Sequence, residues 1–401
     1  MKKLTIVGIA IVLTVAVFHS CNEPLTEDVT SNELSLKSAD VAKSYIVVLN
    51  DAELNAGLAN QTGYEAKQKM AKSAAERIIK RAGITDGELG FVYGTAIKGF
   101  SLKIAPGQLK KLQDDPSVEY IEEDQVVTLV LPDVKVKAKP PKPTAPSQTI
   151  PWGITRVGGP TSSTGAKAWI IDTGIDLTHP DLNVSTTLGK SFVTGVVSPN
   201  DDNGHGTHCA GIVAAVNNSF GVVGVSAGAT VVPVKVLNRQ GSGTYTAIIA
   251  GVDYVASNAS SSAGDVANMS LGGAFSQALN DAVIAASAKV KFTLAAGNES
   301  TSATTKSPAS ANGPNIYTIS AMGQGDVWAT YSNYDNPPVD YCEPGSNIYS
   351  TYKGGGYATL SGTSMAAPHA AGLLLLGNIT SGGQVSGDPD GAPDIIGVRL
   401  K

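Results

Sequence analysis

Cysteine is scarce in this chain: only Cys21, Cys209 and Cys342 occur among its 401 residues. Cys21 lies close to the N-terminus, so the rest of the chain could form at most one bridge, between Cys209 and Cys342. A framework of several disulfides is therefore excluded. We expect packing, or a bound metal ion, to stabilise the folded protein instead.

An excess of positive charge is also absent. Lys and Arg number 29 against 34 Asp and Glu, which gives a formal net charge of -5. Binding to a nucleic-acid backbone needs a broad basic surface, and this composition offers none. Hydrophobic residues make up 42% of the sequence, which is enough for a globular core, and the length allows more than one domain. We expect a folded protein without a nucleic-acid partner.

No apolar run reaches the roughly 20 residues that a membrane-spanning helix requires. The run from Leu4 to Phe18 follows Lys2 and Lys3 and gives way at once to polar residues. This is the layout of a secretory signal peptide, which we predict over residues 1–20.

Cys21 allows two interpretations. Ser20 is the small residue that precedes the lipid-modified cysteine of bacterial lipoproteins, but Phe18 and His19 depart from that pattern. Lipidation of Cys21 would anchor the protein to a membrane by acyl chains alone, whereas ordinary cleavage nearby would release it. We expect an exported protein, either a lipoprotein on a bacterial cell envelope or a secreted one.

Composition divides the remaining chain into four parts. Residues 21–43 are rich in Ser, Glu, Asp and Asn without a sustained period, which indicates a flexible tether. Residues 44–131 alternate strand and helix patterns, and residues 132–150 are dominated by Pro and Lys. We expect a small domain, an exposed protease-accessible linker, and a larger domain over residues 151–401.

The small domain has the pattern of a ferredoxin-like β-α-β-β-α-β unit of the α+β class. An amphipathic helix is predicted over Ala66–Ala82, and a short helix with proline at its start over Pro106–Leu112. Strands are predicted at Ser44–Asn50, Phe91–Tyr93, Gly99–Ile104, Val118–Ile121 and Gln125–Leu131.

The larger domain is predicted to be an α/β fold with a mostly parallel sheet. Short apolar runs at Ala168–Ile171, Val231–Val236 and Phe292–Ala295 are typical of strands buried on both faces. Helix patterns at Ala247–Ser257 and Ala278–Ala288 lie among them. We therefore expect helices on both faces of the sheet.

Acyl transfer needs a hydroxyl nucleophile, a base, an acid that orients the base, and an oxyanion donor. Asp172 ends an apolar strand, at the edge where open α/β sheets place their sites. His205 lies between two glycines in GHGTHCAG, at the predicted start of a helix. Ser364 follows Gly and Ser residues at another predicted helix N-terminus, where the helix dipole favours negative charge.

Three other histidines outside the leader compete for the role of base. His208 follows His205 by three residues and is expected inside the protein, and His179, in THPDL, is expected in a turn. His369 follows Ser364 by five residues on the same predicted helix, which rotates it about 140° away from the serine. Taken singly, each histidine could be structural, and Asp172 alone could be a cap.

Three separated motifs resemble those of the subtilisin-like serine proteases, most closely the proteinase K branch. They are AWIIDTGID around Asp172, NGHGTHCAG around His205 and SGTSMAAPHAAG around Ser364, in the chain order that marks the family among convergent triads. The resemblance implies that Ser364 is the nucleophile, His205 the general base and then acid, and Asp172 the group that fixes the imidazole tautomer. It also implies that Asn298, in AAGN, completes the oxyanion hole, and that catalysis needs no cofactor.

The same resemblance implies a cleft that holds an extended peptide by backbone hydrogen bonds. Its two edges would be Gly241, Ser242 and Gly243 on one side and Ser270, Leu271 and Gly272 on the other. Ala295, Ala296 and Gly297 would wall the pocket for the residue before the scissile bond. We expect broad specificity with an apolar or aromatic residue at that position.

A structural calcium ion is a further expectation. The resemblance implies a site at the carbonyls of Pro314 and Ile316 and the carboxylate of Asp340, oxygen ligands of the kind calcium prefers. Cys209 resembles the free buried cysteine of the proteinase K branch, and we interpret it as a small core residue.

Residues 44–131 resemble the inhibitor-type propeptide of the same family, especially in VEYIEEDQVV near their end. Parallel sheets fold slowly through non-local contacts, which favours a separately folding template, and the resemblance implies that this domain blocks the cleft until it is removed. Two features depart from the family. The Pro/Lys linker is long, which leaves the maturation point open between Val130 and Pro151, and no closing helix is predicted after Gly377.

Two functions of different classes are compatible with these features. The first is a monomeric serine endopeptidase that acts on peptides and proteins and is made as a self-processing precursor. Its other partners would be its own propeptide and, through the lipid alone, a membrane. The second is a surface-anchored binding protein that keeps the fold without turnover, and the complete set of catalytic residues argues against it.

Overall fold

The structure is a computed structural model that describes residues 41–50, 52–129, 134–135, 147–163 and 165–399. The predicted signal peptide, Cys21 and nearly all of the tether lie outside the described residues, as do Val130, Leu131 and most of the linker. Within the described ranges, the search for a helix both long and apolar enough to cross a membrane finds none.

The first part of the described chain is a four-stranded antiparallel sheet with the spatial order β2-β3-β1-β4. Its elements are β1 (Lys43–Leu49), α1 (Ala52–Ala59), α2 (Tyr64–Arg81), β2 (Glu88–Tyr93), β3 (Gly99–Ile104), α3 (Leu109–Gln113, after a 3-10 turn at Pro106–Gln108) and β4 (Val118–Glu123). This is the predicted β-α-β-β-α-β plan, with one further helix before α2.

Strand β1 is apolar from Tyr45 to Leu49 because both of its faces are buried there. Val47 and Leu49 pack against Ile78 of α2, in the core of this first part. Ile46 and Val48 point to the other face and join Tyr93 in a core that is shared with the rest of the chain. The small sheet is therefore packed directly against the larger part of the protein.

The rest of the chain carries many short strands and five helices within the described residues. In chain order they are β5 (Val126–Thr128), β6 (Val134–Lys135), α4 (Trp152–Arg156), β7 (Thr161–Ser162), β8 (Lys167–Asp172), β9 (Asn183–Val184), β10 (Lys190–Ser191), α5 (His205–Ala214), β11 (Ser226–Ala227), β12 (Thr230–Lys235), β13 (Ser242–Thr244), α6 (Tyr245–Asn258), β14 (Val266–Met269), β15 (Gly273–Ala274), α7 (Gln277–Ala286), β16 (Lys291–Ala295), β17 (Lys306–Ser307), β18 (Ile316–Gly323), β19 (Val327–Trp328), β20 (Val339–Pro344), β21 (Ile348–Tyr352), β22 (Gly356–Leu360), α8 (Thr363–Leu375), β23 (Ile379–Gln384) and β24 (Ile395–Arg399).

The central sheet runs β10-β12-β8-β14-β16-β18-β20-β24-β23. Neighbouring strands are parallel from β10 to β24, and only the last pair of this path is antiparallel. Trp169 and Ile171 of β8 face the core that contains α6 and α7, while Ala168 and Ile170 face the core that contains α5 and α8. The prediction of a mostly parallel sheet with helices on both faces is confirmed.

The segment after β4 differs from the prediction that Gln125–Leu131 completes the small domain. Strand β5 leaves the four-stranded sheet and pairs antiparallel with β13 instead. Val127 is buried among residues of the larger part, so apolar burial draws the strand to that side.

The chain after Gly377 forms a hairpin in place of the closing helix expected from the resemblance. Strand β24 adds to the edge of the sheet, where Ile396 lies opposite Cys342 of β20. Val385 and Ile396 cover a small apolar cluster with Trp328. Two added strands thus cover the edge of the sheet in place of a closing helix.

Candidate active site

The elements that carry the predicted catalytic residues end or begin at the carboxyl-terminal edge of the central sheet. Asp172 is the last residue of β8, and Asn298 lies three residues after the end of β16. His205 begins α5 and Ser364 is the second residue of α8. Parallel sheets place their binding and active sites at this edge, because loops and helix N-termini converge there.

Asp172 and His205 form a buried pair. His205 Nδ1 lies 2.9 Å from both carboxylate oxygens of Asp172, and their side chains are 1% and 0% exposed. Since a carboxylate only accepts, Nδ1 carries the proton, and Nε2 is left as the acceptor of the neutral ring. Among the described residues Nε2 has no hydrogen-bond partner, although it is buried.

Glycine allows the close approach of α5 to this pair. A Cβ atom at Gly206 would lie 2.1 Å from the carbonyl oxygen of Gly174, in the turn after Asp172. Any larger residue at position 206 would push the helix, and His205 with it, away from Asp172.

Opposing influences act on the pKa of His205. Burial would lower it, but the negative charge of Asp172, its hydrogen bond and the charge of Asp201 raise it. The net direction is upward from the ordinary value of 6.5. Asp172 therefore favours the protonated ring, which is the form that a general base reaches during the reaction.

Ser364 is held by reciprocal hydrogen bonds with Ser270. Its Oγ donates to the carbonyl of Ser270 at 3.1 Å. Its own carbonyl accepts from Ser270 Oγ at 2.8 Å and lies 3.4 Å from Cys209 Sγ. That carbonyl is available because Pro368, four residues on, has no N–H to donate within α8.

The hydroxyl of Ser364 and the unpartnered Nε2 of His205 are the two groups that a proton transfer would join. The serine Oγ sits on a rotatable bond, so it can leave the Ser270 carbonyl and turn to another acceptor. Catalytic hydrogen bonds are often loose before substrate binds and tighten in the complex.

Asn298 is oriented by its neighbour in α8. Its Oδ1 accepts from the N–H of Thr363 at 2.8 Å and from Thr363 Oγ1 at 3.0 Å. The Nδ2 end of the amide therefore points away from Thr363. The bonds tie the loop after β16 to the start of the helix that carries Ser364.

The predicted cleft residues lie together, and the chain itself occupies the cleft. Ser242 of β13 lies opposite Thr128, and the Leu129 N–H donates to the Gly241 carbonyl at 3.0 Å. Thr128 and Leu129 line one cavity with the residues predicted for the second edge and the pocket, namely Ser270, Leu271, Gly272, Ala295, Ala296, Gly297, Asn298 and Ser364.

The other histidines have structural partners. His208 Nε2 lies 3.1 Å from the carbonyls of both Ile348 and Ala358, and burial lowers its pKa to about 3. Burial also lowers the pKa of His369 to about 4, and its Nδ1 lies 2.9 Å from the Met365 carbonyl. The His208 ring is bound to two strand carbonyls and the His369 ring to a carbonyl of its own helix, so these contacts favour structural roles for both.

Both cysteines of the described chain are free and buried. Cys209 lies close enough to Asp172 and His205 for their ligand atoms to fall within 4.8 Å of one another. Burial raises the pKa of the Cys209 thiol well above its ordinary value. A protonated thiol is a poor metal ligand, which favours the interpretation of Cys209 as a core residue.

Two places could hold a hard cation. Burial raises the pKa of Asp340 to about 6, and its Oδ2 accepts from the Thr318 N–H at 2.9 Å. The carbonyl oxygens of Asn315 and Ile319 accept from β16 and the residue after it. Because the carbonyls of successive strand residues point to opposite sides, the carbonyl of Ile316 points toward β20, where Asp340 lies. This arrangement brings two of the three predicted ligands, the Ile316 carbonyl and the Asp340 carboxylate, to the same side of β18.

The second place was not predicted from the sequence. Gln148 Nε2 lies 2.8 Å from the Val216 carbonyl, 3.1 Å from the Val222 carbonyl and 3.5 Å from Asn218 Oδ1. Asp181 is adjacent, because its carboxylate accepts from Asn218 Nδ2 at 2.7 Å. These oxygens are of the kind that calcium prefers, and they surround the Gln148 side-chain amide, whose own oxygen would face a cation once the amide turned. The residues come from three distant segments, so no local motif reveals the cluster.

The small sheet contacts α6 and α7 through acidic residues that the sequence analysis did not single out. Asp124 accepts from the N–H of Thr246 at 3.1 Å and from its hydroxyl at 2.8 Å, at the start of α6. Glu122 accepts from the N–H of Ala278 at 3.0 Å, at the start of α7. Both lie in the motif VEYIEEDQVV, but their partners are visible only in the folded chain.

Asp253 of α6 makes the reverse contact. Its Oδ1 accepts from the backbone N–H groups of Gly94, Thr95 and Ala96 at 3.2, 2.6 and 2.8 Å. A turn of the small sheet is thus held by a carboxylate of the larger part.

Comparison with known protein families agrees with this arrangement. Residues 163–377 match the model of the subtilase family, and residues 44–130 match that of the peptidase inhibitor I9. The hairpin β23–β24 lies beyond the matched range.

Individual proteins show the same likeness. A subtilisin-like serine protease of Sarocladium strictum is 39% identical over 324 residues, which cover 77% of this chain and 76% of that protein. An alkaline protease of Alkalihalobacillus alcalophilus is 34% identical over 353 residues, covering 86% and 84%. Among solved structures, a cold-adapted subtilisin-like serine proteinase superposes with a TM-score of 0.51 at 39% identity, covering 56% of this chain and 83% of that one. The chain therefore belongs to the subtilase family of serine proteases and carries an I9-type inhibitor propeptide before its peptidase part.

Proposed function

We propose that the protein is a serine endopeptidase in which Asp172, His205 and Ser364 carry out acyl transfer. The observation that carries this proposal is the buried Asp172–His205 pair with its unpartnered Nε2. Ser364 lies at the start of a helix nearby, since its carbonyl lies 3.4 Å from Cys209 Sγ, which is itself within 4.8 Å of the ligand atoms of that pair. His205 takes the Ser364 proton as Oγ attacks the substrate carbonyl, and Asp172 stabilises the resulting imidazolium. The same ring then protonates the leaving amine, and water hydrolyses the acyl-enzyme.

Asn298 and the backbone N–H of Ser364 form the oxyanion hole in this proposal. The amide orientation set by Thr363 supports that role for Asn298, because Thr363 holds the Oδ1 end of the amide and Asn298 lines the same cavity as Ser364. Donors fixed in advance stabilise the tetrahedral intermediate without reorganisation.

The substrate lies as an extended strand between Gly241–Gly243 and Ser270–Gly272. Pairing of β5 with β13 supports this, since that segment already follows the path a peptide would take. The cavity is lined by the small residues Ala295, Ala296 and Gly297 and also by Glu299 and Lys306, whose opposite charges lie 3.7 Å apart. The small, uncharged wall that the first three residues form favours an apolar or aromatic side chain before the scissile bond and broad specificity.

The propeptide inhibits the enzyme and is removed by the enzyme itself. We place its domain at residues 44–131, the linker at 132–150 and the peptidase domain at 151–401. Since Leu129 lies in the cleft beside Ser364, the first cut should fall just after it rather than deep in the Pro/Lys linker. Sequencing the new N-terminus tests this, and a first cut after Lys142 would contradict it.

Residues 1–20 act as a signal peptide in this proposal, followed by the tether at 21–43, and Cys21 carries the lipid. The charged start, the apolar run and Ser20 support this interpretation. Mass analysis of the N-terminal peptide distinguishes an acylated Cys21 from a simple cleaved end.

A structural calcium ion is bound at the Pro314, Ile316 and Asp340 site, at the Gln148 and Asp181 cluster, or at both. These oxygen atoms fit a hard cation, whose role would be to stabilise the fold rather than to take part in the chemistry.

A fluorophosphonate probe tests the central proposal. The processed wild-type enzyme should be labelled once, at Ser364, and Ser364→Ala should lose both labelling and precursor processing in a host without other proteases. Ser262→Ala, at an exposed serine, is the matched control and should behave as wild type. A processed wild-type protein that resists the probe would favour the binding-protein hypothesis instead.

A further inference from the structure

A second buried carboxylate, Asp201, lies next to the catalytic pair and has no role in the chemistry above. It precedes His205 by four residues in the loop between β10 and α5, and it is 4% exposed. Its own N–H donates to the carbonyl of Ile175 at 3.1 Å, which ties the loop to the segment after Asp172. A charge buried this deeply needs strong partners.

Five hydrogen bonds converge on the Asp201 carboxylate. Oδ1 accepts from Thr173 Oγ1 at 2.9 Å, from the Asn203 N–H at 2.9 Å and from the Gly204 N–H at 2.8 Å. Oδ2 accepts from the Thr207 N–H at 2.9 Å and from Thr207 Oγ1 at 2.6 Å. The donors come from both sides of the catalytic pair.

The geometry favours an ionised Asp201. The hydroxyls of Thr173 and Thr207 already accept from the N–H groups of Gly206 and Asp176, which directs their hydrogens to Asp201. A protonated carboxyl would have to give up at least one of its five hydrogen bonds, because its O–H donates instead of accepting. Burial raises the pKa of Asp201, and the donors oppose that rise.

Asp201 links the two catalytic residues without touching either. Thr173 follows Asp172, and its N–H donates to Asp172 Oδ1 at 2.6 Å. Thr207 lies in the first turn of α5, two residues after His205. One carboxylate therefore joins the turn that presents the acid to the helix that presents the base.

We propose that Asp201 is a positioning residue for the peptidase reaction, which fixes Asp172 and His205 relative to each other and stabilises the protonated His205 ring by its negative charge. The inference rests on the proposed function, because it takes His205 as the general base. Charge stabilisation of this kind is strong in a water-poor site, where screening is weak.

The other titratable groups around His205 do not replace this charge. They lie on β8, on the loop before α5, and on α5, β12, β21 and α8. They are Asp172, Asp202, His208, Cys209, Lys235, Tyr352 and His369. The cation Lys235 is bound by Asp202 at 2.7 Å and by the Thr173 carbonyl at 2.6 Å, so those two charges are paired. The remaining groups are neutral apart from Asp172.

The test is the pH dependence of kcat/KM for Asp201→Asn, measured on a chromogenic peptide. The variant is processed in trans by wild-type enzyme if it does not mature alone. Loss of the charge should move the acidic limb to lower pH by about 0.5 unit or more, because the protonated ring loses a stabilising neighbour. It should also lower kcat by about tenfold with little change in KM.

Asp265→Asn is the matched control. Asp265 is also buried and accepts from the N–H groups of Lys167 and Ser260 and from Trp169 Nε1, at 2.9, 3.0 and 3.0 Å. It lies at the opposite end of β8 from Asp172, so its loss should lower stability and leave the acidic limb in place.

Thr173→Val distinguishes the effect of the Thr173–Asp201 hydrogen bond from the effect of the Asp201 charge. It removes the Thr173 hydrogen bonds to Asp201 and Gly206 but keeps the carboxylate, so kcat should fall while the acidic limb stays where it is in wild type. If Asp201→Asn does not fold, this variant decides, and a wild-type kcat would contradict the proposal. An acidic limb of Asp201→Asn that coincides with wild type would overturn it, whereas a wild-type enzyme that is inactive would contradict the proposed function itself.

Discussion

At the scale of single residues, the site depends on groups whose neighbours leave them one orientation. Asp172 fixes the proton of His205 on Nδ1, and Thr363 fixes the amide of Asn298. Ser364 is the exception, because its hydroxyl must leave the Ser270 carbonyl before it can reach His205. The rigid partners are thus arranged around one mobile hydroxyl.

Replacing Asn298 by Ala should lower kcat by about 100- to 1,000-fold with little change in KM. The reason is that its amide would donate to charge that exists only in the transition state. Steady-state kinetics on a peptide substrate measure this. Asn258→Ala, at an exposed asparagine of α6, should retain wild-type kcat, and a large rise in KM for Asn298→Ala would point to substrate binding instead.

The acidic limb of kcat/KM should lie above pH 6.5, the ordinary pKa of histidine. The environment raises the pKa of His205 despite its burial, so the ring stays protonated to a higher pH than usual. Only the neutral ring can accept the Ser364 proton, and activity therefore grows as pH rises through the shifted pKa. A limb centred below pH 6 would show that burial outweighs the carboxylates.

Sequence motifs predicted residues for the direct chemical roles but none for positioning them. Asp172, His205, Ser364 and Asn298 each lie in a local string that resembles a known family. Asp201 lies just before one of these strings and resembles any polar loop residue, because its function depends on donors from separate segments.

At the scale of secondary structure, each of the two helices packed against the propeptide has two caps. Thr244 Oγ1 accepts from the Ala247 N–H at 3.2 Å at the start of α6, and Ser276 Oγ accepts from the Leu279 N–H at 3.2 Å at the start of α7. Asp124 and Glu122 of the propeptide add carboxylates at the same helix ends, where the helix dipole favours negative charge.

Removing these carboxylates should weaken inhibition by the propeptide. Asp124→Ala and Glu122→Ala should each raise the inhibition constant of the separately added propeptide about fivefold, corresponding to about 1 kcal/mol for a lost cap. Glu119→Ala is the control, since Glu119 lies on the same strand and is exposed. Equal inhibition constants for all three variants would show that the caps contribute nothing to the complex.

The hairpin β23–β24 should contribute to stability through its buried face. Ile396→Ala removes a fully buried side chain from the cluster with Trp328, and it should lower the free energy of unfolding by about 2–5 kcal/mol. Ile395→Ala, whose side chain is 41% exposed, should cost about 0.5 kcal/mol or less. Denaturant unfolding of the covalently inhibited enzyme measures both, and equal values would show that the hairpin packs loosely.

Periodicity predicted the long elements well and the edges poorly. The strand Gly99–Ile104 was predicted with its observed bounds, and helix α6 extends only slightly beyond the prediction. Strand β5 was assigned to the wrong sheet, because a short apolar strand does not encode which edge it joins. The closing hairpin was missed, since Gly and Asp residues interrupt its pattern.

At the scale of the whole molecule, propeptide and peptidase share one apolar core. Tyr64 of the propeptide meets Tyr254 edge to face, with ring centroids 5.0 Å apart, and Lys190 lies 4.7 Å above the Tyr64 ring. Phe91 and Phe192 extend the contact. Release of the propeptide therefore exposes aromatic surface, so a cut in the chain should not by itself free the cleft.

Chelation should lower the midpoint of thermal unfolding of the processed enzyme. A bound cation would stabilise the native state by an amount that grows with its affinity, and its removal would take a positive charge away from the carboxylates of Asp340 and Asp181. Differential scanning calorimetry with and without EDTA measures the effect, and Asp340→Asn and Asp181→Asn report which site contributes. An unchanged midpoint in EDTA would contradict both sites.

The double capping of α6 and α7 has a consequence for the life of the enzyme after maturation. One set of caps belongs to the helices permanently, and the other departs with the propeptide. The departing set can help the helices form early, when few other contacts exist, and its loss later leaves them reinforced by their own Thr244 and Ser276. The propeptide caps thus act during folding, and the helices' own caps act after maturation. A peptidase that folds poorly without its propeptide can therefore remain folded once the propeptide has left.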